Sequence, residues 1–334
     1  MNRSTPLVRL FERRTRALRR QLSAAIAGTD AGVHQARVAS RRLREAVPVL
    51  TAGLHHSKSG KAQRKIRRLT QALGAVRELD VTLHLIDELG ERSGVPRAAL
   101  AEVRALVIED RERRRIVMLE RLEGVDTDKL ARRLGAVRQA LLHPSSRHSW
   151  RAALALRLAK RARRLDKAIE QAGQIYAPEP LHQVRIEAKK LRYALEIADE
   201  STAAPCGPTL KVINRVQDAL GRLHDLQILL HHVAAVGAAP RRQRSTPDAG
   251  LAILSRLIED ECRHLHGRYV AHLAPLHDAV DASRRDIPLR LTPRGRSAKA
   301  IKMGKLTPAA RRRAAGGQRV SRASTRPERV VEGR

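Results

Sequence analysis

Residues 33–50 read VHQARVASRRLREAVPVL, and residues 181–198 read LHQVRIEAKKLRYALEIA. Laid over one another, they place His34, Arg37, Arg41, Arg42 and Arg44 on His182, Arg185, Lys189, Lys190 and Arg192, at a constant offset of 148 residues. A second match follows at an offset of 147, where LTQALGAVRELDVTLHL from Leu69 aligns with VQDALGRLHDLQILLHH from Val216. The chain is therefore one unit written twice.

Each unit is helical. Apolar residues recur at three- and four-residue spacing, Ala, Leu, Arg and Glu dominate, and alternating β-branched runs are scarce. Gly, Pro and Ser clusters divide the chain into long segments near 8–27, 33–54, 61–89 and 96–122, then 149–174, 181–200, 208–236 and 250–280, with a shorter connecting helix at 129–142. The expected fold is all-α: two pseudo-symmetric four-helix bundles, repeat one over about 5–142 and repeat two over about 149–280, with equivalent helices brought together. Pro48 should kink or end its helix earlier than the partner helix, where Glu196 stands at the matching position. Gly74 and Gly221 fall inside helices, where Gly costs about 1 kcal/mol against Ala; a close helix crossing is the expected reason.

The repeated helix separates two roles by geometry. At about 100° per residue from His34, Arg37 falls near −60°, Arg41 near −20° and Arg44 near −80°, one cationic arc. Ala36, Ala39, Leu43, Ala46, Val47 and Leu50 occupy the opposite side, as do Val184, Leu191, Ala194, Leu195 and Ala198 in the second copy. Like charges at this spacing repel by a few tenths of a kcal/mol per pair, so an anion lying along the face should offset the loss. Arg presents a rigid fork of donors to phosphate oxygens, Lys a compact charge, and one turn advances about 5.4 Å, so the row forms a ladder for a linear phosphate chain. The third helix adds Lys61, Arg64, Lys65 and Arg68, with Lys211 and Arg215 as counterparts. If both copies turn these rows inward, they line a central basic cleft or pore.

Composition points the same way. Among 334 residues, 67 Lys and Arg stand against 34 Asp and Glu, a formal charge of +33. Only Phe11, Trp150, Tyr176, Tyr193 and Tyr269 are aromatic, too few for the stacking platforms of sequence-reading single-strand binders. Phosphate rather than base is the expected target. Residues 284–334 carry 16 basic and 3 acidic residues among scattered Pro, Gly and Ser, and are expected to be a disordered basic tail; residues 1–283, the expected folded domain, keep a charge of +20. Two cysteines build no disulfide framework, and neither a signal-peptide-like start nor a membrane-spanning run is evident, so a cytoplasmic protein is expected.

At HQARVASRRLR and HQVRIEAKKLRY the sequence resembles the CHAD family, the conserved-histidine α-helical domain, and Leu73-Gly74 and Leu220-Gly221 fit the family's other recurring motif. The resemblance spans roughly residues 5–280. It implies paired four-helix bundles around a basic cleft that binds inorganic polyphosphate, often at polyphosphate granules. Carried over by position, His34, Arg37, Arg41, Arg44, His182, Arg185, Lys189 and Arg192 form the ligand face, with the two histidines donating to phosphate when protonated. Many relatives are fused to a triphosphate-tunnel (CYTH) domain, whose alternating Glu-x-Glu-x-Lys strand is not found here, so no catalysis, cofactor or metal is expected.

Rival readings follow from the same residues. The Lys/Arg tail suits non-specific DNA or RNA phosphates, which makes a nucleoid-type basic protein the nearest alternative. Asp80, Asp218 and Asp225 are candidates to orient basic side chains, though ordinary ion pairs are the simpler expectation. His55-His56, His231-His232 and His224-Asp225 suggest metal hydrolysis by letters alone; adjacent residues on a helix diverge, and no His/carboxylate cluster recurs in both copies.

Overall fold

The computed structural model describes residues 5–52, 56–142, 149–240 and 247–291, and every regular element among them is helical. Repeat one comprises α1 (Pro6–Ile26), α2 (Asp30–Leu50), α3 (His56–Ala72), α4 (Gly74–Gly90) and α5 (Arg97–Glu123), followed by the connecting α6 (Thr127–Leu142). Repeat two comprises α7 (Ser149–Ala172), α8 (Pro178–Ser201), α9 (Gly207–Ala238) and α10 (Asp248–Ala271), followed by α11 (Leu273–Asp281), a π-helical stretch (Ala282–Asp286) and α12 (Ile287–Leu291).

Local chemistry sets the boundaries. Pro6 and Pro178 sit in first turns, where a missing N–H costs nothing. Thr29 caps α2 by accepting from the Gly32 N–H at 3.2 Å, just after Gly28 turns the chain at φ +74°. Gly32 is the glycine that a close crossing requires: a Cβ there would lie 2.5 Å from the Ala24 carbonyl carbon of α1. The crossing expected at Gly74 and Gly221 is corrected, since a Cβ at either would meet nothing within 4 Å.

Both apolar stripes are buried as their periodicity predicts, from Ala36 to Leu50 on α2 and from Val184 to Ala198 on α8. Equivalent helices meet across the repeats, α2 against α8 and α4 against α9. Buried Arg14 of α1 ties the halves together, donating to the Arg42 carbonyl at 2.9 Å and to Glu200 of α8 at 2.9 Å.

Two expectations change and one holds. The third segment is one helix in repeat two, α9, but breaks in repeat one at Leu73, whose ψ of 0° ends α3 before α4 begins. Pro48 ends α2 earlier than its partner, as expected: α2 stops at Leu50, whereas α8 runs to Ser201, which matches position 53; the lost N–H leaves only the Arg44 carbonyl without its helical donor. The helical body passes residue 283 and runs to Leu291, because Ile287 and Leu291, one turn apart, bury themselves with α12 against α7. The rest of the basic tail, from residue 292, lies outside the described residues, as does His55.

Candidate polyanion-binding site

The site is built where α2 and α8 cross. Arg37 and Arg41 of α2 face Arg185 and Lys189 of α8, and each side chain is only partly exposed. Arg37 and Arg41 have no ion pair to any described residue, and the Nε atoms of Arg41 and Arg185 are enclosed without a hydrogen-bond partner. Among the described residues, the single carboxylate in ion-pair range of the four is Asp225 of α9, 3.9 Å from Arg185. Four basic side chains thus converge from both repeats, with Asp225 and, farther off, Glu78 as their counter-charges.

The crowding is legible in their proton affinities. Burial, reinforced by Arg185, Arg41, Arg192 and Arg37, pulls the Lys189 ammonium down to about 7. Burial and the neighbouring Arg41, Arg77 and Arg185 lower Arg37 to about 10, against the opposing pull of Glu78. Arg185 is likewise lowered, mainly by burial, with Arg41 adding to it and Asp225 and Glu78 resisting. A bound anion would reverse these shifts.

Histidines stand at the end of each ladder. His34 is lowered by burial and by Arg77 and Arg37, and His182 by burial and Arg185, so both are mostly neutral near pH 7 in the ligand-free protein. The cations that attract phosphate thus oppose the imidazole proton, and donation by a protonated ring would need the anion in place. His182 Nδ1 lies 3.1 Å from Nδ1 of His224, which burial and Arg185 hold down to about 3. One ring must donate and the other accept, so the accepting ring carries its proton on Nε2 and still offers one N–H.

Arg77 and Glu78 lie beside the ladders and are not anticipated from the sequence; Asp225 is the expected orienting acid, and His224, considered there only as a metal ligand, joins them. They occupy matching places in the two copies, Arg77 with His224 and Glu78 with Asp225 at the offset of 147. Each pair sets one further group and one carboxylate beside a ladder. Gly74 and Gly221, one turn earlier, leave the space beside them open.

The remaining predicted residues have other partners. Arg42 pairs across the helices with Glu196 at 3.1 Å, and Arg192 lies 3.7 Å from the same carboxylate while stacking over Tyr193 at 5.2 Å. Lys190 is held by Glu187 at 2.6 Å. Arg44 is 3.9 Å from buried Glu45, which also binds Arg157 and Arg161 of α7. Lys61, Arg64, Arg68, Lys211 and Arg215 are exposed, and none is among the charges that shift Arg37, Arg185 or Lys189. Lys65 acts instead on Asp126, ahead of α6. Asp80 serves Arg111 of α5, which donates to it at 2.7 Å, so of the three candidate orienting acids Asp225 alone reaches a ladder residue. No group of His, Cys, Asp and Glu among the described residues is arranged to hold a metal ion, and no helix among them is long and apolar enough to cross a membrane.

Duplicated helical halves that bring basic side chains together define an all-α domain with a candidate anion site between its repeats. The CHAD domain model matches residues 9–234, more than half of the chain, and the protein belongs to the CHAD family. CHAD domains as a family are associated with inorganic polyphosphate. Among solved structures, the fold is similar to the CHAD domain from the plant Ricinus communis, with 24% identity, 84% of this chain and 90% of that one covered, and a TM-score of 0.54. It is also similar to PptA from Streptomyces chartreusis, with 17% identity, 83% and 98% covered, and a TM-score of 0.56. No curated protein matches the sequence.

Proposed function

We propose that the protein binds inorganic polyphosphate in the cluster formed by Arg37, Arg41, Arg185 and Lys189, flanked by His34 and His182, and that it does so without catalysing turnover of the polymer. The observation that carries this reading is the convergence of those four basic side chains from two repeats, where among the described residues only Asp225 comes within ion-pair range and Glu78 adds a weaker, more distant pull. Such an arrangement is unfavourable when empty and is relieved by closely spaced negative charge, which a phosphate chain supplies better than scattered carboxylates. Arg42, Arg44 and Lys190, already facing carboxylates, hold the helices in register around it. Bound in this way, the protein works in the cytoplasm at polyphosphate granules.

The test is a titration of the full chain, and of a chain ending at Thr292, with long-chain polyphosphate, triphosphate and duplex DNA at fixed ionic strength. Both proteins should bind polyphosphate, the longer polymer more tightly through counterion release at several contacts, and truncation should remove most DNA affinity. A truncated chain that prefers DNA, or has lost polyphosphate binding, would favour the nucleic-acid reading.

A further inference from the structure

Lys189 and Lys190 are neighbours with opposite surroundings. Lys190 Nζ donates to Glu187 at 2.6 Å. Lys189 lies one turn from Arg185 and one turn from Arg192 on α8 and faces Arg37 and Arg41 of α2. On α9 it is near His224 and Asp225, and His182 stands two turns earlier on its own helix. Asp225 is directed at Arg185, and no carboxylate among the described residues forms an ion pair with Lys189. Its Nζ has no hydrogen bond to a described residue, and it is not among the enclosed, unpartnered nitrogens as the Nε atoms of Arg41, Arg185 and Arg192 are. Lys189 is a partly exposed amine in the midst of guanidinium groups.

We propose that Lys189 is an acylation site for acyl phosphates, whose phosphate end the neighbouring arginines hold while the lysine nitrogen takes the acyl group. The inference rests on the anion-binding reading of the same cluster. Arg37, Arg41 and Arg185 draw in the reagent and stabilise the charge of the departing phosphate. The Nζ lone pair attacks the acyl carbon, the bond from that carbon to the phosphate oxygen breaks with its electrons going to phosphate, and the nitrogen gives its extra proton to phosphate or water. The products are an amide on Lys189 and inorganic phosphate. Desolvation and a cationic neighbourhood are what activate a lysine nucleophile. With Lys189 held down to about 7, roughly three-quarters of it is neutral at pH 7.5, against about one part in a thousand of an ordinary lysine.

The amide removes a positive charge from the centre of the cluster. Acylation and polyphosphate binding should therefore exclude each other. The cell's acyl phosphate level would then set how much protein can hold the polymer.

The experiment incubates the full chain at pH 7.5 with acetyl phosphate, and separately with the uncharged N-acetoxysuccinimide, and reads acetylation at each lysine by peptide mass spectrometry. With acetyl phosphate, Lys189 should react at least about tenfold faster than Lys190, Lys160 and Lys167, and long-chain polyphosphate should suppress that reaction selectively. The preference should shrink with the uncharged reagent, which the arginines do not recruit. Lys189 reacting no faster than exposed Lys160 and Lys167, or showing the same preference with both reagents, would overturn the proposal. Direct titration separates the two readings. Polyphosphate binding with an inert Lys189 removes only the acylation site, whereas fast acylation of Lys189 in a protein that does not bind polyphosphate removes only the polymer. Lys189→Arg should lose the pre-eminent acetylation and weaken polyphosphate binding less than Lys189→Gln, which removes the charge as the amide does.

Discussion

Proton uptake at Lys189 offers the sharpest quantitative consequence of a shared cation cluster. In the ligand-free protein its ammonium is lowered to about 7 from 10.5, chiefly by burial and then by Arg185, Arg41, Arg192 and Arg37. A phosphate chain laid along the cluster cancels the arginine field and pushes the value back up. If recovery to 10.5 is complete, affinity should fall about ninety-fold between pH 6 and pH 9, and binding at pH 8 should draw in about 0.9 proton per site. Partial recovery scales both down together. Titration calorimetry at pH 8 in two buffers of different ionisation enthalpy counts the protons directly, and a long polymer keeps the titrating end phosphates a minor fraction. Lys189→Arg should abolish the uptake and flatten the affinity profile while keeping binding. An affinity unchanged from pH 6 to pH 9, with no proton uptake, would refute the claim that the polymer meets Lys189.

Other consequences are simpler to read. Arg185→Glu or Arg41→Glu should weaken polyphosphate binding by about tenfold or more, from a lost charge-assisted contact plus a new repulsion, whereas Arg68→Glu on the exposed row of α3 should change it less than about threefold; equal losses at both places would contradict the site. Glu45→Gln should destabilise the fold by about 3 kcal/mol in urea unfolding, because Arg157 and Arg161 lose the buried carboxylate that neutralises them; an unchanged midpoint would show that solvent already screens them. Ligand-free stability should rise with pH in two windows, since the unfolded chain binds more protons wherever a folded value is lowered: from about 3 to 6.5 through His224, and from about 7 to 10.5 through Lys189. His224→Gln should flatten the first window in thermal melts, and an identical acid loss in both proteins would sink that assignment.

Much of the fold could be read from the two matching helices. The stripes Ala36 to Leu50 and Val184 to Ala198 have helical spacing, and both are buried; the cationic arc opposite holds Arg37, Arg41, Arg185 and Lys189, which meet as a repeat with equivalent helices in contact requires. The third-helix rows were less legible because spacing shows that Lys61, Arg64, Lys65 and Arg68 share a face without showing which neighbour that face meets. Arg77 and Glu78 lie on α4 with no dense local motif, and their signal is the 147-residue offset to His224 and Asp225, which the sequence marks as a His/carboxylate pair and, for Asp225, an orienting acid. The break at Leu73 lies in ALGAV, which differs little from the unbroken ALGRL of α9, so local propensity does not distinguish the two. Ile287 and Leu291 did show a one-turn apolar pair, hidden within a strongly basic stretch.

The central claim is that one phosphate polymer is held jointly by the ladders of both repeats. A crystal structure of the protein with a polyphosphate of defined length tests it most directly. Phosphate oxygens should lie within hydrogen-bond distance of Arg37 and Arg41 on α2 and of Arg185 and Lys189 on α8, on a single continuous chain. Polymer bound along the exposed row of α3, or to one repeat only with the α2–α8 cluster empty, would contradict it.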